Sequence, residues 1–263
     1  MKYLILNNGI KIPQIGLGIY DLHEEKAILD AIDMGYRLFD TAQMYGNERL
    51  LGNAIKKSNV PREEFFITTK LYYPSRSYEF AKKGIEQSLH NLQLDYIDLM
   101  LIHEPYKESL EMYRALEEAY EEGKIKAIGI SNFNEELYLD FIKKCKIIPA
   151  VNQVEAHVFF TRKDLQKVML ENGTLMEAWS PLCAGKHDIF NNEVLISIGK
   201  KYNKTAAQIA IKYLLSRDII IIPKSANKER LLENISLFDF ELTNEDIEKI
   251  EILNENKSLF GWY

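Results

Sequence analysis

Short apolar runs of strand length alternate along this chain with longer segments whose apolar residues recur every three to four positions. The runs are IGLGIY (15–20), YRLFD (36–40), FFITTK (65–70), YIDLMLIH (96–103), IKAIGIS (125–131), AVNQVE (150–155), TLMEAWS (174–180) and IIIIP (219–223). Between and after them lie EEKAILDAIDMG, ERLLGNAIKKS, EFAKKGIEQSLHNL, SLEMYRALEEAYEEG, EELYLDFIKKC, RKDLQKVMLENG, AAQIAIKYLLSR and KERLLENIS, all with helical spacing. Nearly continuous apolar runs are expected of parallel strands covered on both faces. Eight strand–helix units, joined by right-handed crossovers, make the number that closes a (β/α)8 TIM barrel.

Two further elements flank the repeat. Asn7-Asn8-Gly9 between short apolar runs predicts an N-terminal β-hairpin, placed to close the barrel bottom. Thr243 followed three residues later by Asp246 predicts a capped extra helix near the C-terminus. An open doubly wound sheet is the rival fold. The first strand carries only Gly16-Leu17-Gly18, without the third glycine of a dinucleotide-binding turn, which disfavours it. No linker interrupts the pattern, so residues 1–263 read as a single domain.

Composition narrows the function. A formal charge of −6 argues against nucleic acid as a main partner, which would need clustered cations. Cys145 and Cys183 show no paired spacing, and a reducing compartment is expected for them. Neither a leader-like N-terminus nor a membrane-length apolar stretch is present, so the expectation is a cytoplasmic protein away from membranes. His23, His90, His157 and His187 lack metal-ligand spacing and are expected in loops or at the surface; no metal is expected.

Barrel active sites lie at the carboxyl ends of the strands. Polar residues there are Asp40 and Tyr45, Lys70, His103, Ser131 and Asn132, Gln153, Trp179 and Ser180, and Lys224 and Ser225. Taken singly, Asp40 fits a helix cap, Lys70 a solvated cation, His103 a core histidine and Tyr45 a packing aromatic. Taken together at successive strand ends, they form a tuned acid: an ammonium held by a carboxylate should lower the tyrosine's pKa, and His103 would help polarise a carbonyl. Hydride would have to come from a cofactor. A Schiff-base role for Lys70 with Asp40 as acid–base partner is a distant alternative, as is a sensor that keeps the cofactor without turnover.

The segments GYRLFDTAQMYGNERLLGNAI, FITTKL, DLMLIHEP, GISNF and IPKS, in this order, resemble the successive signatures of the aldo-keto reductase family. Within it the chain is similar to the bacterial NADPH-dependent carbonyl reductases, such as those acting on 2,5-diketo-gluconate or glyoxal. The resemblance implies reduction of aldehydes and ketones by NADPH, with Asp40, Tyr45, Lys70 and His103 as catalytic tetrad and Tyr45 as general acid. It implies that Ser131, Asn132 and Gln153 hold the nicotinamide carboxamide and that Trp179 stacks on its ring. Ser180 to Leu182 would follow the pyrophosphate; Lys224, Ser225 and Arg230 would bind the 2'-phosphate, and Glu233 and Asn234 the adenine. A monomer is also implied.

Two departures bear on substrate. The loop CAGKHDIFNNE is shorter than in many relatives, and the chain ends at Gly261-Trp262-Tyr263 where many have a longer tail, so a more open pocket is expected. Tyr20, Tyr72 and Glu104 are the expected pocket walls. Glu104 beside His103 would disfavour anionic substrates, which favours small neutral aldehydes and dicarbonyls.

Overall fold

A computed structural model describes residues 2–261. Strands β1 (Tyr3–Ile5) and β2 (Lys11–Pro13) pair antiparallel as the predicted hairpin. Gly9 takes the left-handed conformation in its turn (φ +86°), which a side chain would strain. Leu6 and Ile12 are buried and pack with Leu38, Phe66, Leu99, Ala127 and Val151, so the hairpin plugs the barrel bottom.

Eight parallel strands follow: β3 (Gly16–Gly18), β4 (Leu38–Asp40), β5 (Phe66–Leu71), β6 (Leu99–Ile102), β7 (Ile128–Ser131), β8 (Val151–Glu155), β9 (Leu175–Trp179) and β10 (Ile220–Ile221). They pair in chain order, and a parallel bridge between Ile15 and Ile221 joins the last strand back to the first. The result is a nearly closed (β/α)8 barrel. The two glycines of β3 allow close packing on either side of it. A Cβ on Gly16 would lie 2.4 Å from the Leu38 side chain, and one on Gly18 would lie 2.7 Å from the Ile222 carbonyl oxygen. They are small for close packing, Gly16 against β4 and Gly18 at the seam, which accounts for a Gly-x-Gly without a phosphate-binding turn.

Around the strands lie α1 (Glu25–Asp33), α2 (Glu48–Lys57), α3 (Tyr78–Leu92), α4 (Ser109–Glu121), α5 (Glu135–Ile142), α6 (Lys163–Glu171), α7 (Glu193–Tyr202), α8 (Ala206–Ser216), α9 (Lys228–Ile235) and α10 (Asn244–Glu251). Helix α2 buries one stripe, Leu51, Gly52, Ala54 and Ile55, whereas α8 is buried almost all round, with α7 packed against it. Thr243 and Asp246 form the predicted capping box of α10. Helix α7 goes beyond the eight predicted units. Asn192, at the end of the loop after β9, caps it by accepting from the Val194 and Leu195 amides. No helix is long and apolar enough to cross a membrane among the described residues.

Candidate active site

Strand alternation decides which side chains enter the barrel. Leu38 and Asp40 of β4, Phe66, Thr68 and Lys70 of β5, and Val151 and Gln153 of β8 share one parity. The lower members of each strand are apolar and the upper ones polar, so the chemistry collects at the mouth.

Lys70 is wholly buried, and its Nζ donates to Asp40 Oδ1 at 2.5 Å, to the Thr41 carbonyl at 3.0 Å and to the Tyr45 hydroxyl at 3.4 Å. Tyr45 arrives on a 3-10 turn, Gln43–Tyr45, ended by Gly46 in the left-handed conformation (φ +67°). The turn is pinned by buried Asn47, which donates to the Ile19 carbonyl at 2.7 Å and accepts from the Thr41 hydroxyl at 2.6 Å. Residue spacing offers no signal for Asn47, because its partners come from the β3–α1 connection. His103 stands edge-on to Tyr45, with ring centroids 5.6 Å apart. All four predicted tetrad residues meet here, and Asp40 caps no helix.

The electrostatics differ from expectation at one point. Burial raises the Tyr45 pKa and outweighs the lowering by Lys70, so the hydroxyl lies above its ordinary value rather than below it. Lys70 acts in the expected sense but against a larger desolvation effect. Burial opposes charge on Lys70 itself, yet Asp40, Tyr45 and Glu177 together raise its pKa and keep the proton on nitrogen. A firmly protonated lysine is the wrong state for a Schiff-base nucleophile. Burial, with Lys70 adding, lowers His103 to about 3. At neutral pH it is an uncharged imidazole with one N–H to donate, and its buried Nδ1 has no partner among the described residues.

The predicted carboxamide residues are already wired to this group. Gln153 Nε2 donates to Asp40 Oδ2 at 2.8 Å, and the Ser131 hydroxyl donates to the Gln153 carbonyl at 2.9 Å. Asn132, in the left-handed region (φ +66°), donates to the His103 carbonyl at 3.2 Å and to Glu104 at 3.3 Å. It accepts from Trp179 Nε1 at 2.8 Å. Ser180 turns the chain out of β9 (φ +50°), and buried Cys183 and Ile189 anchor the loop beyond half-buried Leu182.

At the far rim, Asn227 caps α9 by accepting from the Arg230 amide at 3.0 Å, and buried Ser225 accepts from the Asn227 amide at 3.1 Å. Lys224 and Arg230 are exposed and make no ion pair among the described residues. Asn234 is buried, and Glu233 accepts from the Thr205 hydroxyl that caps α8. Two uncommitted cations and a hydroxyl at a helix start form a donor set that fits a phosphate group.

The Aldo/keto reductase family matches residues 19–255, nearly the whole barrel. The chain belongs to the aldo-keto reductase family. It is 43% identical to the glyoxal reductase of Bacillus subtilis over 96% of this chain and 92% of that protein. Among solved structures, an aldo-keto reductase from a Medee basin deep-sea metagenome library superposes with a TM-score of 0.94 at 44% identity, covering 98% of this chain and 97% of that one. An aldo-keto reductase solved in complex with NADPH superposes at 0.92 with 33% identity, over 98% of this chain and 89% of that one.

The expected pocket walls and the C-terminal tail also stand at this mouth. Tyr20 is exposed and stands edge-on to Tyr45, with centroids 5.1 Å apart. Tyr72 is half-buried just beyond β5, and Glu104 is half-buried beside Asn132. The tail reaches the mouth: Phe260 packs on Trp179 with centroids 5.2 Å apart. Glu155, at the end of β8, holds it there by accepting from the Leu259 amide at 2.8 Å and the Ser258 hydroxyl at 2.6 Å. Trp262 and Tyr263 lie outside the described residues. His157 lies in a loop, as expected, but not at the surface. It is completely buried, 3.0 Å from Glu155 and flanked by the rings of Phe159 and Phe160.

Proposed function

We propose that this protein reduces aldehydes and ketones to alcohols with NADPH, Tyr45 donating the proton. The observation that supports this most is the buried chain Asp40–Lys70–Tyr45 beneath an uncharged His103. When bound, the nicotinamide supplies the hydride.

Tyr45 and His103 would donate to one carbonyl oxygen, drawing electron density from the carbon to be reduced. As negative charge develops on that oxygen, Tyr45 releases its proton to it. The phenolate left behind is stabilised by Lys70, whose own proton is kept by Asp40. Tyr45 is fully protonated at neutral pH before substrate arrives, and the Lys70 charge offsets part of the burial that makes it a weaker acid. Ser131, Asn132 and Gln153 would orient the carboxamide, and Trp179 the ring face. Lys224, Ser225 and Arg230 would take the 2'-phosphate and so favour NADPH over NADH, with Glu233 and Asn234 beside the adenine. A planar ring seated on Trp179 and a phosphate at α9 suit the donor sets at the two ends.

Glu104 at the rim disfavours anionic substrates, so small neutral aldehydes and dicarbonyls are the proposed class, in keeping with the glyoxal reductase relative. The test is NADPH oxidation, followed by absorbance, with a panel of aldehydes and dicarbonyls. Tyr45→Phe is expected to lower kcat by about 10²–10⁴-fold while NADPH still binds. Undiminished turnover by that variant would remove Tyr45 as the acid, and equal use of NADH would remove the 2'-phosphate pocket.

A further inference from the structure

Strand β9 sends a second carboxyl group into the barrel. Leu175, Glu177 and Trp179 share one parity, so the residue directly below the mouth tryptophan is a glutamate. Glu177 is 0% exposed, and neither carboxyl oxygen has a hydrogen-bond partner. It is the register partner of Gln153 on β8 and of Ile220 on β10.

Gln153 commits its amide to Asp40, and Asp40 commits to Lys70. The interior thus holds two carboxyls for one ammonium: Asp40 is hydrogen-bonded to it, whereas Glu177 forms no hydrogen bond among the described residues and has only the Lys70 charge and the nearby Gln153 amide to favour its ionised form. An ionised carboxylate buried without a donor is among the costliest groups a protein can carry, and the usual resolution is neutralisation.

The groups that act on Glu177 are few. Asp40 comes from β4, Lys70 from β5 and Gln153 from β8. The other barrel-facing residues around them are Thr68 of β5, whose buried hydroxyl also has no partner among the described residues, and the apolar Leu99 and Leu101 of β6, Ala127 ahead of β7, Val151, Ile220 and Ile222. His103, beyond β6, is uncharged at neutral pH. Nothing here offers Glu177 a second cation.

We propose that Glu177 is a positioning residue for the reductase reaction: it stands as a neutral acid beneath the Asp40–Lys70 pair, and losing its proton to solvent base at alkaline pH switches off proton donation by Tyr45. This rests on the carbonyl-reductase reading above. With Glu177 neutral, Lys70 answers to Asp40 alone and its charge is free to stabilise the Tyr45 phenolate. With Glu177 ionised, a second anion beside Lys70 opposes that phenolate and weakens the tyrosine as an acid. Burial first, and Asp40 second, push the Glu177 carboxyl up to about 8, against the opposing effects of Lys70 and Gln153. The change would therefore fall within the range in which enzymes are assayed.

The experiment compares wild type with Glu177→Gln, measuring kcat/KM for NADPH-dependent reduction of methylglyoxal across pH. Glutamine keeps the shape and removes the ionisation. At about pH 6 the two are expected to agree within about twofold. At about pH 9 roughly one wild-type molecule in ten retains the proton, so the variant should exceed wild type by about tenfold. Coincident alkaline limbs would overturn the proposal.

An infrared difference spectrum between about pH 6 and pH 10 gives an activity-independent readout. The carbonyl stretch of a buried protonated acid should be present in wild type and lost in Glu177→Gln; its absence from wild type overturns the proposal. If the glutamine variant does not fold, Glu177→Met takes its place, since an apolar group of similar size suits an unpartnered site. Wild type that turns over no carbonyl would sink the reductase reading, and the infrared band would still decide the protonation of Glu177.

Discussion

Two lysines at the carboxyl ends of barrel strands have opposite surroundings. Lys70 is wholly buried, locked to Asp40 at 2.5 Å and to the Thr41 carbonyl at 3.0 Å. Lys224 is exposed beyond β10 and, like Arg230 nearby, makes no ion pair among the described residues. The first charge is preorganised and acts on a neighbour one hydrogen bond away, whatever else is bound. The second is held in solvent, where it costs little and does little until an anion arrives. A catalytic charge has to be in place before the reaction, whereas a binding charge gains by being unpaired beforehand.

The contrast can be broken most severely from the buried side. Lys70→Met leaves Asp40 ionisable in the interior without its cation. Loss of a buried partner of this kind costs about 3–5 kcal/mol, to be read from denaturant unfolding, and turnover should fall with it. A variant as stable as wild type would mean that the pair contributes no more than an apolar contact. From the exposed side, Lys224→Ala or Arg230→Ala should leave stability unchanged. Each should weaken NADPH binding by about tenfold in a fluorescence titration, with NADH unaffected and the difference shrinking as salt is added. A loss shared equally by the two cofactors would show that these cations do not read the 2'-phosphate.

The smallest expected effect lies between the two regions, at the tail. Phe260→Ala removes one edge contact on Trp179, of a kind usually contributing about 0.5–1.5 kcal/mol. A change of about threefold in KM for bulkier aldehydes, with kcat preserved, is expected. No change across a size series would mean that the tail only covers the mouth.

Much of this site is legible in the sequence, and the reason is periodicity. Barrel strands end in register, so polar residues terminating eight apolar runs are brought to one mouth, and Asp40, Tyr45, Lys70 and His103 could be named from their positions. Other residues were hidden by the same rule. Glu177 lies two positions before Trp179, on the parity that enters the barrel, and counting by twos from the tryptophan would have found it. Asn47, Glu155 and Phe260 left no such signal. Asn47 holds the Tyr45 turn through carbonyls some 25 residues earlier, and Glu155 meets its tail partners about 100 residues later in the chain.

What the sequence determined by itself is the alternation of strands and helices, the hairpin turn, the capping box of α10 and the identity of the four groups at the mouth. These depend on neighbours within one or two turns of chain. Only the tertiary structure decided how those groups are charged and what covers them. Tyr45 is raised rather than lowered, His103 is neutral, His157 is buried, and Glu177 faces Lys70 across the barrel without a hydrogen bond. Desolvation and Coulomb effects sum over everything nearby in space, and the closed barrel makes neighbours of residues that the chain keeps more than a hundred positions apart.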